Sequence, residues 1–296
     1  MKNLKSSLRK MREDPVLFVE GMLGAKPDKW QVEVMKAVAE HHRGISIRSG
    51  HGVGKTSCLS WLALWFISTH YHAKVVVTAP TSAQLHDALL PETKAWLKQS
   101  PPAFRDLFNV KSDRIELAAD PERNFISAKT SRAEQPDALQ GVHADHVLLI
   151  CDEASGVPEQ VYESAGGSMS AHHATMVLAG NPIRSSGYFY DTFNKLSDRW
   201  KTFHISCEDT DRVSEEYIEE CRVRYGEDSN TYRVRVLGEF PKGDDDTVIP
   251  HELVAEAISR DIKPSSFGPT VWGVDVARFG ADASALCKRK GNAVTE

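Results

Sequence analysis

The chain has 296 residues, of which 26% are charged and 41% hydrophobic, and its formal net charge is −5 at pH 7. This length allows one large domain or two smaller ones, and the small negative charge excludes a globally basic surface for nucleic acid. The longest apolar run, residues 59–67, is shorter than the roughly 20 residues of a membrane span, so we expect no membrane contact.

The five cysteines and twelve histidines give no metal-site signature. No two cysteines form a CxxC pair, and without a signal peptide they indicate reduced thiols in a cytosolic protein. The adjacent pairs His41–His42 and His172–His173 point to different faces, so neither pair has the spacing of zinc ligands.

Short β-rich runs alternate with longer helical patterns through most of the chain. Most of the runs are continuously apolar, which is typical of strands buried on both faces of a sheet. The predicted strands are 45–47, 75–79, 124–128, 146–151, 175–179 and 203–206, and helical segments between them include 56–70, 83–98 and 157–170. The predicted fold class is therefore α/β, with a mostly parallel central sheet flanked by helices.

The segment "KPDKWQ" precedes an amphipathic helix and ends in Gln31. A glutamine side chain offers both a donor and an acceptor, so Gln31 is a candidate reader of the adenine edge. The alternative is an ordinary helix start beside a buried Trp30, and the sequence leaves both open.

The stretch "ISIRSGHGVGKTSCLSWLALWF" places a glycine-rich loop between a strand and a long helix. Such a loop directs backbone N–H groups at an anion, Lys55 then contacts the β- and γ-phosphates, and Thr56 offers its hydroxyl to Mg²⁺. A chance glycine-rich turn is the alternative, but the strand–loop–helix context favours a nucleotide site. The predicted ATP-binding residues here are Ser49 (where the usual pattern has a glycine), Gly50, His51, Gly52, Val53, Gly54, Lys55, Thr56 and Ser57.

The run "HVLLICDEAS" places two carboxylates at the end of a buried strand. Asp152 is predicted to hold Mg²⁺, and Glu153 to polarise the attacking water, which is typical of a hydrolase. The alternative is a pair that caps the following helix. Asn181, at the end of "TMVLAGN", is predicted to sense the γ-phosphate and relay its loss, although GNP is also a common turn.

Hydrolysis also needs a cation for the charge that develops in the transition state. The candidates are Arg48, just before the glycine-rich loop, and Arg132, in "KTSRAEQPDALQG"; either is otherwise a surface residue.

The last third of the chain changes character. Residues 208–240 read as charged helix and predict a small helical subdomain, "PKGDDD" reads as a linker, 250–262 as one more helix, and 270–292 as strand, turn, strand. The predicted units are an ATPase core at 1–207, a lid and the start of a linker at 208–245, the linker at 246–269 and a further fragment at 270–296.

Taken in order, these motifs resemble the large subunit of the terminase of tailed bacteriophages over about residues 20–292. The matching stretches are "WQ", "SGHGVGKTS", "VTAPT", "LQGVHADHVLLICDEAS", "LAGNPIRSSGYFY", "VLGEFP" and "WGVDVARFGADASAL". The resemblance implies a P-loop ATPase with a small lid, followed by a ribonuclease-H-like nuclease. It also implies that Gly50 to Thr56 bind ATP with Mg²⁺, that Asp152 and Glu153 are the metal and catalytic carboxylates, and that Asn181 lies in the coupling motif. Arg132 falls in the region where the family's neighbouring-subunit arginine can sit.

The same resemblance makes Asp275 and Asp282 the start of a two-metal nuclease site for Mg²⁺ or Mn²⁺. Such a site needs several carboxylates from different strands. The sequence stops at Glu296, before the other carboxylates, so the expectation is a chain that hydrolyses ATP and does not cut DNA.

The implied role is a motor that moves double-stranded DNA into a procapsid as a homo-oligomeric ring. Its implied partners are the portal protein and the small terminase subunit, and its implied place is the host cytoplasm, outside the finished virion. One alternative is a helicase or translocase, but only about 65 residues follow Asn181 before the linker, too few for a second motor lobe. A nucleotide-gated adaptor without catalysis is the other, and Glu153 argues against it.

Overall fold

The computed structural model describes residues 9–131, 136–242, 257, 259–260, 262–263, 267–277, 284–291 and 293–294. The chain divides into two compact units, Met1–Lys242 and Gly243–Glu296. The segment predicted as a lid lies within the first unit up to Lys242. The finer boundaries at 207, 245 and 269 stay predictions.

The first unit is built on an eight-stranded sheet in the order β3-β4-β5-β2-β6-β7-β1-β8. Its strands are β1 (Gly44–Ser49), β2 (Ala73–Thr78), β3 (Phe108–Val110), β4 (Arg114–Leu117), β5 (Phe125–Ala128), β6 (His146–Cys151), β7 (His173–Gly180) and β8 (Lys201–Ile205). The six strands from β5 to β8 are parallel, whereas β3 and β4 extend the sheet as antiparallel strands. The carboxyl ends of the parallel strands therefore share one edge.

Helices connect these strands. They are α1 (Pro15–Phe18), α2 (Lys29–Ala39), α3 (Lys55–Thr69), α4 (Leu90–Gln99), α5 (Pro102–Arg105), α6 (Glu159–Ser164), α7 (Tyr188–Asp191), α8 (Glu215–Tyr225) and α9 (Asn230–Tyr232). Three π-helical turns adjoin them, at Val19–Leu23, Gln84–Leu89 and Arg233–Leu237, and short 3₁₀ turns lie at Pro136–Leu139, Ala154–Gly156, Ser168–Ser170, Ser197–Arg199 and Cys207–Asp209.

Apolar side chains cover both faces of the sheet. In β6, Leu148 and Ile150 pack into one buried cluster, and Val147, Leu149 and Cys151 into the other, because successive residues of a strand point to opposite faces. Helix α3 is apolar all round and fully embedded in the first cluster, as expected for a helix surrounded by protein. The predicted α/β class with helices on both sides is confirmed.

The structure also corrects parts of the predicted element list. Strands β3 and β4 were not predicted, because they are three and four residues long and carry polar residues at a sheet end. The helix predicted over 157–170 ends at Ser164, where small residues follow, and the one predicted over 250–262 lies mostly outside the described residues.

The second unit contains an antiparallel sheet in the order β11-β10-β9. Its strands are β9 (Thr270–Asp275), β10 (Ala285–Lys290) and β11 (Ala293–Val294), which fits the predicted strand–turn–strand. Asp275 ends β9, is exposed and lies opposite Ala285. Among the described residues, no helix combines the length and the apolar character that crossing a membrane requires.

Candidate nucleotide-binding site

Loops that follow β1, β6 and β7 meet at the carboxyl edge of the sheet. Strand β7 pairs with both β1 and β6, so it holds the glycine-rich loop and the Asp–Glu pair one strand apart on either side. A cleft of about 440 Å³ opens there. It is lined by His51, Gly52, Val53, Gly54, Lys55, Thr56, Ser57, Glu153 and Asn181, all of them residues that the sequence had singled out.

The glycine-rich loop leads directly into α3, so the positive end of the helix dipole faces the cleft. Lys55 folds back over the loop, and its Nζ donates to Ser49 Oγ at 3.1 Å and to the Gly50 carbonyl at 3.3 Å. Burial lowers the pKa of Lys55, against the attraction of Glu153 and Asp152. An anion in the cleft favours the charged amine.

Asp152 ends the buried strand β6 and is itself only 4% exposed. Burial, followed by the neighbouring Glu153, raises the pKa of Asp152 to about 6, although Lys55 and the Glu153 N–H act in the opposite direction. The N–H of Glu153 donates to its Oδ1 at 3.0 Å. A buried carboxylate with so little compensation fits a cation ligand.

A divalent cation would be completed at this place by other groups. No cluster of three or more His, Cys, Asp or Glu in the described parts of the chain is arranged to hold a metal. Mg²⁺, however, is usually held by one or two protein oxygens together with substrate phosphates. Asp152 and the cleft-lining Thr56 fit that pattern.

Glu153 adopts a left-handed backbone conformation with φ +50. A bulky residue rarely takes this conformation, which costs about 1 kcal/mol or more and is often found at functional sites. The turn that follows, Ala154–Gly156, packs so closely on β7 that a Cβ at Gly180 would lie 2.9 Å from the Ala154 nitrogen. The turn thereby holds the Glu153 side chain on the wall of the cleft.

Asn181 connects the three loops. Its Nδ2 donates to the Ser49 carbonyl at 2.6 Å, and its own carbonyl accepts from Ser155 Oγ at 2.7 Å. The first contact reaches the glycine-rich loop, and the second reaches the turn that carries Glu153. A movement at either place is therefore transmitted to the tip of β7.

Gln31 supports the loop from below. It is fully buried, its Nε2 donates to the Gly54 carbonyl at 3.0 Å, and its Oε1 accepts from the Asp28 N–H at 2.8 Å. Both ends of the amide thus bond to backbone. Its predicted contact with adenine stays a prediction.

The two arginine candidates have different outcomes. The guanidinium of Arg48 lies over the rings of Phe193 and Phe240, 5.3 and 5.2 Å from their centroids. Arg132 lies outside the described residues, as does Asp282, and Asp275 belongs to the second unit.

Sequence reasoning did not find the contacts between the glycine-rich loop and the chain after β8. The N–H groups of Gly50 and His51 donate to the carbonyls of Ile205 and Arg235, at 3.0 and 2.8 Å. Arg212, from the same part of the chain, lies over the loop with its Nε 2.6 Å from Asp28 Oδ2. The charged pattern of 208–240 was the only signal, and it does not indicate which surface this segment covers.

Comparisons with known proteins agree with this geometry. A family model described as terminase large subunit, T4likevirus-type, N-terminal, matches residues 47–255. The probable terminase, large subunit, of Enterobacteria phage P7 is 28% identical over 288 residues, which are 93% of this chain and 58% of that protein. The chain therefore spans little more than half the length of this curated relative.

Two solved structures share the fold. The large terminase ATPase domain of Thermus phage P74-26 has a TM-score of 0.61 at 17% identity, over 77% of this chain and 99% of that one. The large terminase of a second thermophilic bacteriophage, solved in complex with ADP, has a TM-score of 0.60 at 18% identity, over 88% of this chain and 65% of that one.

Proposed function

The chain belongs to the terminase large subunit family, and on that premise we propose that it is the ATP-hydrolysing part of a motor that moves double-stranded DNA into a viral procapsid. The observation that carries this proposal is the cleft in which Lys55, Glu153 and Asn181 meet. The names of its relatives, a probable terminase large subunit and a large terminase ATPase domain, support the same function.

The glycine-rich loop and Lys55 bind the β- and γ-phosphates of ATP in this proposal. Thr56 and Asp152 hold Mg²⁺, whose chemistry is to neutralise the phosphate charge. Lys55 then exchanges its bonds to Ser49 and Gly50 for bonds to phosphate oxygens. Support for nucleotide binding comes from the structural neighbour that was solved with ADP.

Glu153 orients and polarises the attacking water. It lines the same cleft as Lys55, yet it follows a strand that is separated from the glycine-rich loop by β7. This separation leaves space for a water molecule between the carboxylate and a bound γ-phosphate. A switch that only binds nucleotide needs no such carboxylate, so the geometry favours hydrolysis over a passive adaptor.

Arg132 supplies the transition-state cation from a neighbouring subunit when the ring assembles. Arg48 is the weaker candidate, because its guanidinium packs on Phe193 and Phe240. The ring forms on the procapsid with the portal protein and the small terminase subunit, in the host cytoplasm. In the second unit, Asp275 is the first metal ligand of a nuclease site.

The test is steady-state ATP hydrolysis by the chain and by its Glu153→Gln and Lys55→Ala variants, with and without duplex DNA. We expect Glu153→Gln to bind ATP but to lose about 100-fold or more in kcat, and Lys55→Ala to lose binding. Hydrolysis by Glu153→Gln at the wild-type rate would refute the assignment of Glu153. Binding without turnover by the wild type, even at concentrations that favour assembly, would support the adaptor instead.

A further inference from the structure

A second cleft, of about 380 Å³, adjoins the first on the other side of the glycine-rich loop. It is lined by His51, Gly52, Arg212, Val213, Ser214 and Tyr217. His51 and Gly52 line both clefts, so a single extended ligand can occupy the two together. All of these residues lie in the first unit of the chain.

The sheet order fixes the direction in which a nucleotide must lie. Strand β1 has β7 on one side and β8 on the other. Glu153 and Asn181 follow β6 and β7, so the terminal phosphate that water attacks lies on the β7 side. The opposite end of the nucleotide then points to the β8 side, where residues 206–217 follow the strand.

The walls of the second cleft suit a flat, apolar group. The ring of Tyr217 and the methyl groups of Val213 are partly buried against the core and face the loop. Gly52 leaves the floor open, since a Cβ there would already lie 3.5 Å from a Val213 methyl group. Every nucleobase has a π-face that stacks on an aromatic ring, whatever its hydrogen-bonding edge.

The polar groups around the cleft are already bonded to protein. Arg212 Nε lies 2.6 Å from Asp28 Oδ2, and Ser214 Oγ accepts from the Tyr217 N–H at 3.3 Å. The hydroxyl of Tyr217 lies 3.3 Å from Nδ1 of His51. Gln31, the other candidate for reading a base, bonds to Gly54 and Asp28 instead.

We propose that this second cleft is the nucleoside pocket, and that it holds the base by stacking on Tyr217 and Val213 without reading its edge. The substrate class is therefore wider than ATP and includes other purine nucleoside triphosphates. Arg212 is a positioning residue, because its bond to Asp28 fixes the wall that Val213 and Tyr217 form. This inference rests on the proposed function, since it assumes that phosphates bind to the loop.

The experiment measures calorimetric binding of ATP, GTP and inorganic tripolyphosphate, each with Mg²⁺, to the whole chain. The variants are Tyr217→Ala, Tyr217→Phe, and Tyr71→Ala as a control at an exposed tyrosine elsewhere. We expect Tyr217→Ala to weaken ATP and GTP about tenfold and to leave tripolyphosphate unchanged, because only the stacking contact is lost. Tyr217→Phe recovers most of that loss, and the wild type binds ATP and GTP with similar affinity.

Each other outcome overturns the proposal in an identifiable way. Unchanged ATP binding by Tyr217→Ala places the base elsewhere, and a loss of tripolyphosphate as well makes Tyr217 a support of the loop. GTP binding at least tenfold weaker than ATP binding by the wild type means that the base edge is read. If the wild type binds none of the three ligands, the proposed function itself fails.

Discussion

Single residues in the cleft are held in states that destabilise the nucleotide-free protein. Burial moves the pKa of Lys55 and the pKa of Asp152 each toward the neutral form, even though the two side chains attract one another. A phosphate compensates the amine and a cation compensates the carboxylate. The cleft is therefore preorganised for a ligand that carries both charges, at the expense of stability without it.

Asp152→Asn should stabilise the nucleotide-free protein and abolish hydrolysis. The folded-state pKa is about 6 against an ordinary value of 3.8, so the carboxylate destabilises the fold above pH 6, and this effect disappears as the pH falls toward 3.8. We expect the free energy of unfolding to rise by about 1–3 kcal/mol at pH 8 and to match the wild type near pH 4. Urea unfolding at both pH values measures this.

Glu159→Gln is the matched control for that prediction, since Glu159 is an exposed carboxylate on α6. It should leave the free energy of unfolding within about 0.5 kcal/mol of the wild type at pH 8. An Asp152→Asn protein less stable than the wild type at pH 8 would show that the attraction to Lys55 outweighs the burial of the charge.

Asn181→Ala should separate phosphate sensing from phosphate binding. Asn181 donates to the Ser49 carbonyl and is linked through Ser155 to the turn after Glu153, whereas the loop N–H groups and Lys55 remain in place. We expect kcat for ATP to fall about 10- to 100-fold while the Kd for ATP changes less than about threefold. Pre-steady-state binding and steady-state turnover measure the two; an equal loss in both would make Asn181 an ordinary binding residue.

At the scale of elements, the glycine-rich loop and the π-helical turn Arg233–Leu237 fit together without free space. Gly238 ends that turn with φ +64, and a Cβ there would lie 2.6 Å from the Gly50 nitrogen. A Cβ at Gly50 would lie 2.5 Å from Cys207 Sγ and from the Val236 carbonyl. The "VLGEFP" stretch is thus a close backbone contact with the loop that holds the phosphates.

Gly238→Ala should damage both stability and nucleotide binding. Gly24→Ala is its control, because Gly24 also ends a π-helical turn, has φ +66 and has nothing within 4 Å of its Cβ position. We expect Gly24→Ala to cost only the strain of the left-handed conformation, about 1 kcal/mol. Gly238→Ala should cost about 1–3 kcal/mol more and weaken ATP binding, measured by thermal unfolding and calorimetry. Equal effects of the two substitutions would refute the close contact.

The element scale also shows what the sequence alone can predict. The parallel strands were predicted because each is a local apolar run, and the site residues because each follows such a run directly. The contact of His51 with Arg235 was not predictable, since the two are 184 positions apart and no local pattern links them. The same is true of Arg212, whose position over Gly54 depends on where β8 joins the sheet.

At the scale of the whole molecule, the two ends of the parallel sheet have different chemistry. The nucleotide cleft lies at the carboxyl edge, and four histidines form a row at the amino edge. His41 lies 5.6 Å from His173, which stacks on His146 at 4.9 Å, and His146 lies 4.9 Å from His70, all between ring centroids. The sequence showed the pairs containing His41 and His173, but not that the fold brings one member of each pair together.

This row should make the fold sensitive to acid. Burial, then the neighbouring histidines and Arg12, lowers the pKa of His70 to about 3 and the pKa of His146 to about 4, from 6.5. The unfolded chain therefore takes up protons first, and stability that is complete above pH 6.5 is lost as the pH falls toward 4. We expect a loss of about 2–4 kcal/mol over this window, discounted because His146 is partly exposed to solvent. Urea unfolding from pH 8 to pH 4.5 measures it.

His70→Phe should remove more than half of that loss, because His70 is the more buried of the two and a phenyl ring retains its packing on Phe66. His172→Phe, at an exposed position beside the row, should leave the acid dependence unchanged. The strands that separate the row from the cleft span about 20 Å, beyond the screening length at ordinary salt. ATP hydrolysis at pH 8 should therefore be the same in the wild type and His70→Phe, and a changed rate would show that the two edges of the sheet are coupled.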